Sequence, residues 1–286
     1  MAFVASIDGV ICALDAALVP VVDRGFLYGD AVFEALRTYG RRPDALEQHL
    51  ERLARSCAIV GIDLGMGQEE MAAEVLRAIA AVPEGECYVR IVATRGDYPE
   101  SLSPTGAGPA RRVVLVRQLQ EPTGVESLRG IHTVSRCVPP SSLWAGAKPT
   151  SYLANLLAVG AAEREGADDA ILIGPYGELL EGATSSLFVV RGSTLLTPPL
   201  SLGILPGITR DRVMRAARRI GLEVRERLLT IRDAYRADEL FLTSSVRRVA
   251  AVLTVDRLPV GLGRVGPVAR RVAAAYAEEV ASQCKP

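Results

Sequence analysis

The chain has 286 residues, 49% hydrophobic and 23% charged, enough apolar material for a substantial core. Its 33 basic and 33 acidic side chains cancel, which excludes a general attraction to nucleic acid or to an anionic membrane surface. Five scattered cysteines (Cys12, Cys57, Cys87, Cys137 and Cys284) lack C-x-x-C spacing, and His49 and His132 are the only histidines, so neither a disulfide framework nor a metal site is expected. No basic N-terminal stretch leads into an apolar run, and no segment of about 18 apolar residues occurs, so the expectation is a soluble, cytoplasmic protein.

Taken in order, residues 3–5 and 10–13 read as a hairpin about Ile7-Asp8-Gly9. Residues 23–30 form a loop with two glycines that leads into a strand over 31–39. That strand puts Val32, Glu34, Leu36 and Thr38 on one face, and Phe33, Ala35 and Arg37 on the other. Pro43-Asp44 opens a helix that Gly61 closes, with Leu46, Leu50, Leu53 and Cys57 as its buried stripe. Arg52 lies off that stripe and by itself reads as a solvated arginine. A second helix is predicted over 68–81, then a strand over 87–96 with Tyr88, Arg90 and Val92 on one face. Arg90 and Arg95, with Tyr88, are costly in so apolar a strand unless they meet an anion. Residues 97–110, rich in Pro, Gly and Ser, read as a long loop that could cover an active site.

A strand over 112–119 ends the first half, and the division expected is a domain over 1–119, a linker over 120–130 and a domain over 131–286. In the second half the pattern predicts a strand over 131–137 and a helix over 151–166 carried by Leu153, Leu156, Leu157 and Gly160. A hairpin of 169–173 and 187–190 follows, around Gly174–Gly177. The clearest helix takes Thr209 as N-cap, Val213, Ala216, Ala217 and Ile220 as its stripe, and Gly221 at its end. Strands over 223–229, 240–243 and 250–255, a short helix near 231–237 and a last helix over 267–281 complete the chain.

Only two of the 33 basic residues are lysines, and one of them, Lys285, is penultimate in the chain. Lys148 is thus the single lysine in the body of a protein whose positive charge is otherwise arginine. Arginine cannot act as a nucleophilic amine, whereas a lysine in a partly apolar setting such as Trp144-Ala145-Gly146-Ala147 can lose its proton and form an imine with a carbonyl. Compositional bias could also leave one lysine by chance. The most fitting carbonyl partner is pyridoxal 5'-phosphate (PLP), which needs an amine, an acid beside its pyridine nitrogen, donors for its phosphate, and cations for the substrate's carboxylate.

Glu181, after an apolar strand end, can supply the acid, although a surface turn would look the same. Gly207-Ile208-Thr209 opens a helix whose free N–H groups suit a phosphate, or serve as an ordinary cap. Thr243-Ser244-Ser245 is a second hydroxyl cluster at a strand end, and equally a capped loop. Tyr152, four residues after Lys148, can reach the cofactor's ring hydroxyl if the segment turns into the following helix.

In this order these segments resemble the class IV (fold type IV) PLP enzymes: branched-chain aminotransferases, D-amino acid aminotransferases and 4-amino-4-deoxychorismate lyases. The resemblance runs from residues 23–34 to 265–268, and is strongest at Lys148-x-x-x-Tyr152-Leu-x-Asn155, 180–188, 197–200 and 205–210. It implies an α+β fold of two domains, a small N-terminal and a larger C-terminal one, with PLP between them in a homodimer. It implies Lys148 as the imine-forming lysine, Glu181 as the pyridine-nitrogen partner and Tyr152 at the ring hydroxyl. Arg52, Ile208, Thr209 and Ser245, beside Ser244, fall on the phosphate-binding positions, which reverses the surface reading of Arg52. Tyr28, Phe33, Tyr88 and Arg90 match the substrate pocket of branched-chain aminotransferases, whereas Thr94-Arg95-Gly96 resembles the carboxylate-binding motif of the other two groups. Departures lie at Pro149-Thr150, at Ser186 in place of an asparagine, and at 248–251, and they bear on the substrate. The activity implied is amino transfer between an amino acid and a 2-oxo acid, the alternatives being pyruvate elimination from aminodeoxychorismate and PLP binding without catalysis.

Overall fold

The computed structural model describes residues 3–97, 102–119, 129–137 and 144–283. The chain forms two compact units, Met1–Pro122 with Ala147–Ser151, and Thr123–Gly146 with Tyr152–Pro286. The segment carrying Lys148 therefore packs with the first unit, which a division of the chain at 120–130 does not anticipate. Residues 120–128 of that linker lie outside the described residues.

The first unit is an antiparallel sheet of β1 (Phe3–Ile7), β2 (Val10–Ala13), β3 (Ala31–Tyr39), β4 (Arg42–Pro43), β5 (Cys87–Thr94) and β6 (Arg111–Gln118), in the order β2-β1-β6-β5-β3-β4. Alternation decides its two faces. Val32, Leu36, Val89, Ile91, Val114 and Val116 are buried in one core with Leu50, Leu53 and Val75, which come from helices α2 (Leu46–Val60) and α3 (Gln68–Ala80). Tyr88, Arg90 and Val92 alternate with the core residues of β5 and are only half-buried. The predicted loop at 23–30 is in fact a one-turn helix, α1 (Arg24–Tyr28), because the Asp23 carboxylate accepts the Gly25 N–H at 2.8 Å and Gly29 ends the turn at φ +66°. The helix expected from Pro43 starts later: Arg42–Pro43 pairs with β3, Ala45 has φ +52°, and α2 begins at Leu46.

The second unit is a mixed sheet of β7 (Arg129–Cys137), β8 (Asp169–Ile173), β9 (Leu179–Gly182), β10 (Ser186–Arg191), β11 (Thr194–Thr197), β12 (Glu223–Glu226), β13 (Glu239–Ser244), β14 (Arg248–Val255) and β15 (Leu258–Pro259). Its order is β12-β11-β10-β13-β14-β7-β8-β9, with β15 on β14. The helices are α4 (Leu153–Arg164), α5 (Ile208–Arg219), α6 (Ile231–Tyr235) and α7 (Pro267–Gln283). The hairpin partner of β8 is β9, which sequence reading missed, while β10 pairs with β11 and β13. Nor is Thr209 the cap of α5. The N-cap is Gly207, without a side-chain hydrogen bond, and Thr209 lies buried inside the first turn. The leucines that predicted α4 do not face the core: Leu153, Leu156 and Leu157 are 68%, 65% and 62% exposed, while Ala158 and Ala162 pack inward.

Candidate active site

The first unit holds Lys148 by its backbone. Phe33 N–H donates to the Lys148 carbonyl at 2.9 Å, and Thr150 N–H donates to the Ala31 carbonyl at 2.8 Å, so the segment is held to β3 by an antiparallel bridge between Val32 and Pro149. The Ser56 hydroxyl, buried on α2, accepts the Lys148 N–H at 3.1 Å. The Thr150 and Ser151 hydroxyls donate to the Gly29 carbonyl, each at 3.1 Å. Gly29 has φ +66°, which favours glycine, and a Cβ there would stand 2.7 Å from the Ser151 oxygen, so a side chain would be strained and would displace this hydroxyl. The turn at 23–30 thus serves as a seat for the lysine segment.

The side chain of Lys148 is half-buried, with its Nζ 4.5 Å from the centroid of the Phe33 ring. The Arg90 guanidinium lies over the same ring at 4.0 Å. The structure therefore brings together Lys148, Phe33 and Arg90, three residues singled out separately in the sequence. Tyr88 has Arg117 over its ring at 4.6 Å, and Tyr28, half-exposed at the end of α1, has Arg24 over its ring at 5.4 Å.

Arg95 is engaged differently. It holds Asp30 through Nε at 2.8 Å and Nη2 at 3.0 Å, and donates to the Val60 and Gly61 carbonyls that end α2. Arg24 also holds Asp30, at 2.8 Å. Burial would raise the Asp30 carboxyl, but its hydrogen bonds from Arg95 and Arg24 and their charges outweigh that and lower it.

Arg52 is 4% exposed, not solvated as its place off the apolar stripe suggested. Its Nε and Nη2 each meet an oxygen of Glu34 at 2.7 Å, a two-point fork. His49 Nδ1 lies 2.7 Å from Glu34 Oε2. Burial acts to raise the Glu34 carboxyl, yet the hydrogen bonds from Arg52 and His49 and their charges hold it at about 2. An ionised carboxylate only accepts, so His49 Nδ1 carries the proton of that bond. Sequence reading missed Glu34, His49 and Ser56. The available signal was a polar stripe on α2, His49, Arg52 and Ser56, beside the apolar one.

The second unit holds the other candidates. Tyr152 caps α4, so the chain does turn into the helix there, and Asn155 donates to the Ala183 carbonyl at 2.7 Å. Glu181 is half-buried on β9, with Gly182 bonded back to Ser185 through its N–H at 2.7 Å. Gly207 begins α5 so close to β10 that a Cβ there would meet the Ser186 oxygen at 2.6 Å. Behind Ile208 the Thr209 hydroxyl stands 3.5 Å from that of Ser245, while Ser244 at the end of β13 accepts the Arg247 N–H.

These residues fit PLP. A helix that starts without a side-chain cap leaves its first N–H groups to an anion, and paired hydroxyls stand beside it. Among the described residues, the Ser185 and Thr243 hydroxyls are buried without a hydrogen-bond partner; Thr243 of β13 pairs with Ser186 of β10, and Ser185 directly precedes that strand. The second unit also carries the carboxylate of Glu181, and the first unit the amine of Lys148, which are the other two types of group that PLP requires.

Comparison with known proteins agrees. Residues 31–255 match the family described as amino-transferase class IV. A putative branched-chain-amino-acid aminotransferase of Methanocaldococcus jannaschii is 34% identical over 256 residues, 90% of this chain and 89% of that protein. The D-alanine aminotransferase of Bacillus licheniformis is 30% identical over 277 residues, 95% and 93% of the two chains. A T.th. branched-chain amino acid aminotransferase, solved with N-(5'-phosphopyridoxyl)-L-glutamate, superposes with a TM-score of 0.91 at 28% identity, over all of this chain and 96% of that one. The match spans most of the chain, and on that ground the protein belongs to the class IV amino-transferases, a family of PLP-dependent enzymes.

Proposed function

We propose that this enzyme moves the amino group between a branched-chain or other hydrophobic L-amino acid and a 2-oxo acid. The observation that carries the choice of type is the contrast between the two arginines. Arg95, whose motif resembles the D-amino acid aminotransferases and the lyases, is bonded to Asp30 and to the carbonyls ending α2. Arg90 lies on the Phe33 ring beside Lys148, which suits it to the substrate's carboxylate. The branched-chain names of the Methanocaldococcus jannaschii relative and of the superposed structure support the same reading, the D-alanine aminotransferase relative supports amino transfer alone, and neither pyruvate elimination nor PLP binding without catalysis is favoured.

Bound PLP supplies an aldehyde for the amino group and a ring that accepts electrons. In this reading Lys148 carries the cofactor and its Nζ then moves the proton of the substrate's Cα. Glu181 holds a proton at the pyridine nitrogen, and Tyr152 orients the ring hydroxyl. Arg52, the Ile208 and Thr209 N–H groups, and the hydroxyls of Thr209, Ser245 and Ser244 bind the phosphate. Tyr28, Phe33 and Tyr88 line the apolar part of the substrate pocket.

Two coarser features join the proposal. The exposed Leu153, Leu156 and Leu157, which neighbour one another on α4 at one-turn spacing, support a homodimer, since clustered exposed leucines mark an interaction surface. The described cysteines Cys12, Cys57 and Cys87 are unpaired, and among the described residues no helix is long and apolar enough to cross a membrane, which supports a cytoplasmic place.

The test is a panel of L-leucine, L-valine, L-isoleucine and D-alanine against 2-oxoglutarate, and of D-glutamate against pyruvate, with aminodeoxychorismate assayed for 4-aminobenzoate. Turnover confined to the branched L-amino acids supports the reading. Turnover of D-alanine, or release of pyruvate from aminodeoxychorismate, overturns it.

A further inference from the structure

Glu34 is the least expected residue in the first unit. It occupies a core position of β3 between Val32 and Leu36, and like them it is fully buried. A carboxylate there is costly unless its oxygens are fully used, and an apolar residue would pack as its neighbours do. Its oxygens are used: one takes Arg52 Nε, the other takes Arg52 Nη2 and His49 Nδ1, each at 2.7 Å. Both partners come from one face of α2, and the same face carries Ser56, which holds the Lys148 backbone.

We propose that Glu34 is a positioning residue for the cofactor's phosphate end: it fixes the plane of the Arg52 guanidinium, and so sets the preference for PLP over unphosphorylated pyridoxal without touching either. The inference rests on the reading of Arg52 as a phosphate ligand. A free arginine side chain has several rotatable bonds, and closing it on an anion costs that freedom. The fork to Glu34 removes the freedom during folding, before the cofactor arrives. Because Glu34 also offsets the charge of Arg52, what the pair offers is oriented N–H donors and not a net field. This makes the direction of the effect informative. If bare charge were what mattered, removing Glu34 would tighten phosphate binding; if orientation matters, it weakens it.

The experiment strips the full-length enzyme of cofactor and titrates it with PLP and with pyridoxal, following the visible absorbance each develops on binding. The half-saturation value for pyridoxal divided by that for PLP is the readout, since a general loss of structure would weaken both ligands together. Glu34→Gln keeps the shape and one acceptor but not the charge or the fork. It is expected to raise the PLP value about tenfold, the scale of one charge-assisted hydrogen bond, with the pyridoxal value unchanged. Arg52→Ala is expected to collapse the ratio further, and Glu34→Gln added to it to do nothing more, because both act on one interaction. An unchanged or increased ratio in Glu34→Gln, with Arg52→Ala collapsed, overturns the role of Glu34 and leaves that of Arg52 standing. If Arg52→Ala also keeps the wild-type ratio, the phosphate reading of Arg52 itself fails, and this inference with it. Should Glu34→Gln not fold, Glu34→Asp is read instead. It keeps the charge but is too short for the fork, and a wild-type ratio there also overturns the proposal.

Discussion

The hydroxyl of Ser56 accepts the backbone N–H of Lys148 at 3.1 Å, one helical turn along α2 from Arg52. One helix thereby grips the segment that carries Lys148 and itself bears Arg52, the arginine read as the phosphate ligand. Ser56→Ala leaves that N–H without its acceptor and is expected to destabilise the enzyme by roughly 1 kcal/mol, the usual net worth of such a bond. Turnover should fall severalfold as well, because small misplacements of a reacting group are costly. Urea melts with steady-state kinetics check both, and Ser56→Thr, which keeps the hydroxyl, should restore much of the loss. Wild-type kinetics in Ser56→Ala would show that the bridge to β3 holds Lys148 unaided.

Lys148 itself gives the sharpest outcome. Lys148→Ala should lose the cofactor's lysine-bound absorbance and nearly all turnover, by about a thousandfold or more. Lys148→Arg should be as inactive, since a guanidinium keeps the charge over the Phe33 ring but offers no nucleophilic amine. Spectra and single-turnover assays decide this, and an active arginine variant would remove Lys148 from the chemistry.

Arg90 and Arg95 should separate cleanly. Arg90→Ala is expected to raise KM for the amino and oxo acids about tenfold to a hundredfold, with melting little changed, if its partner is a substrate carboxylate. Arg95→Ala leaves Asp30, whose side chain is 18% exposed, to Arg24 alone and frees the end of α2. Its cost should appear as stability, about 1 kcal/mol since Asp30 keeps one partner, with KM near wild type in the folded fraction. Thermal melts beside kinetics on both variants read the split, and the reverse pattern would favour Arg95 as the carboxylate ligand.

What could be read from the residues alone follows from the range of the interactions. The strand over 31–39 and that over 169–173 have the bounds expected of them, because alternation and the flanking turns are local signals. The scarcity of lysine singled out Lys148 without any structure. The Glu34–Arg52 fork joins residues 18 apart from a strand and a helix, and the bond from Phe33 to the Lys148 carbonyl spans a far longer stretch. No periodicity announces either. A charged residue on an apolar strand face reads as an interruption until its partner is in view, and an arginine beside a leucine stripe reads as solvated. β9 was hidden for a related reason: a four-residue strand has too few positions for a pattern. The leucines of α4 misled in the other direction, since their spacing shows an apolar face but not what covers it.

The same buried cluster predicts how the fold responds to acid. Glu34 has its folded carboxyl lowered from 4.5 to about 2, because Arg52 and His49 more than offset burial. A lowered acid contributes stability that is complete above its unfolded value, so the loss runs as pH falls from 4.5 towards 2, and amounts to about 3 kcal/mol in full. His49 is lowered from 6.5, first by burial and then by the charge of Arg52, against the pull of Glu34 and Asp44. Its unfolded state therefore takes a proton before the folded state does, and stability begins to fall as pH drops below 6.5. Both groups act in the same direction, so acid weakens the first unit in two stages. Chemical melts of the wild type between pH 7 and pH 3 should show a first decline below 6.5 and a steeper one below 4.5. His49→Gln should remove the first stage and keep the second, whereas Glu34→Gln should flatten the second from a lower starting stability. A decline below 4.5 that survives intact in Glu34→Gln would mean that other carboxylates, such as Asp30 with Arg24 and Arg95, govern the acid limit of the fold.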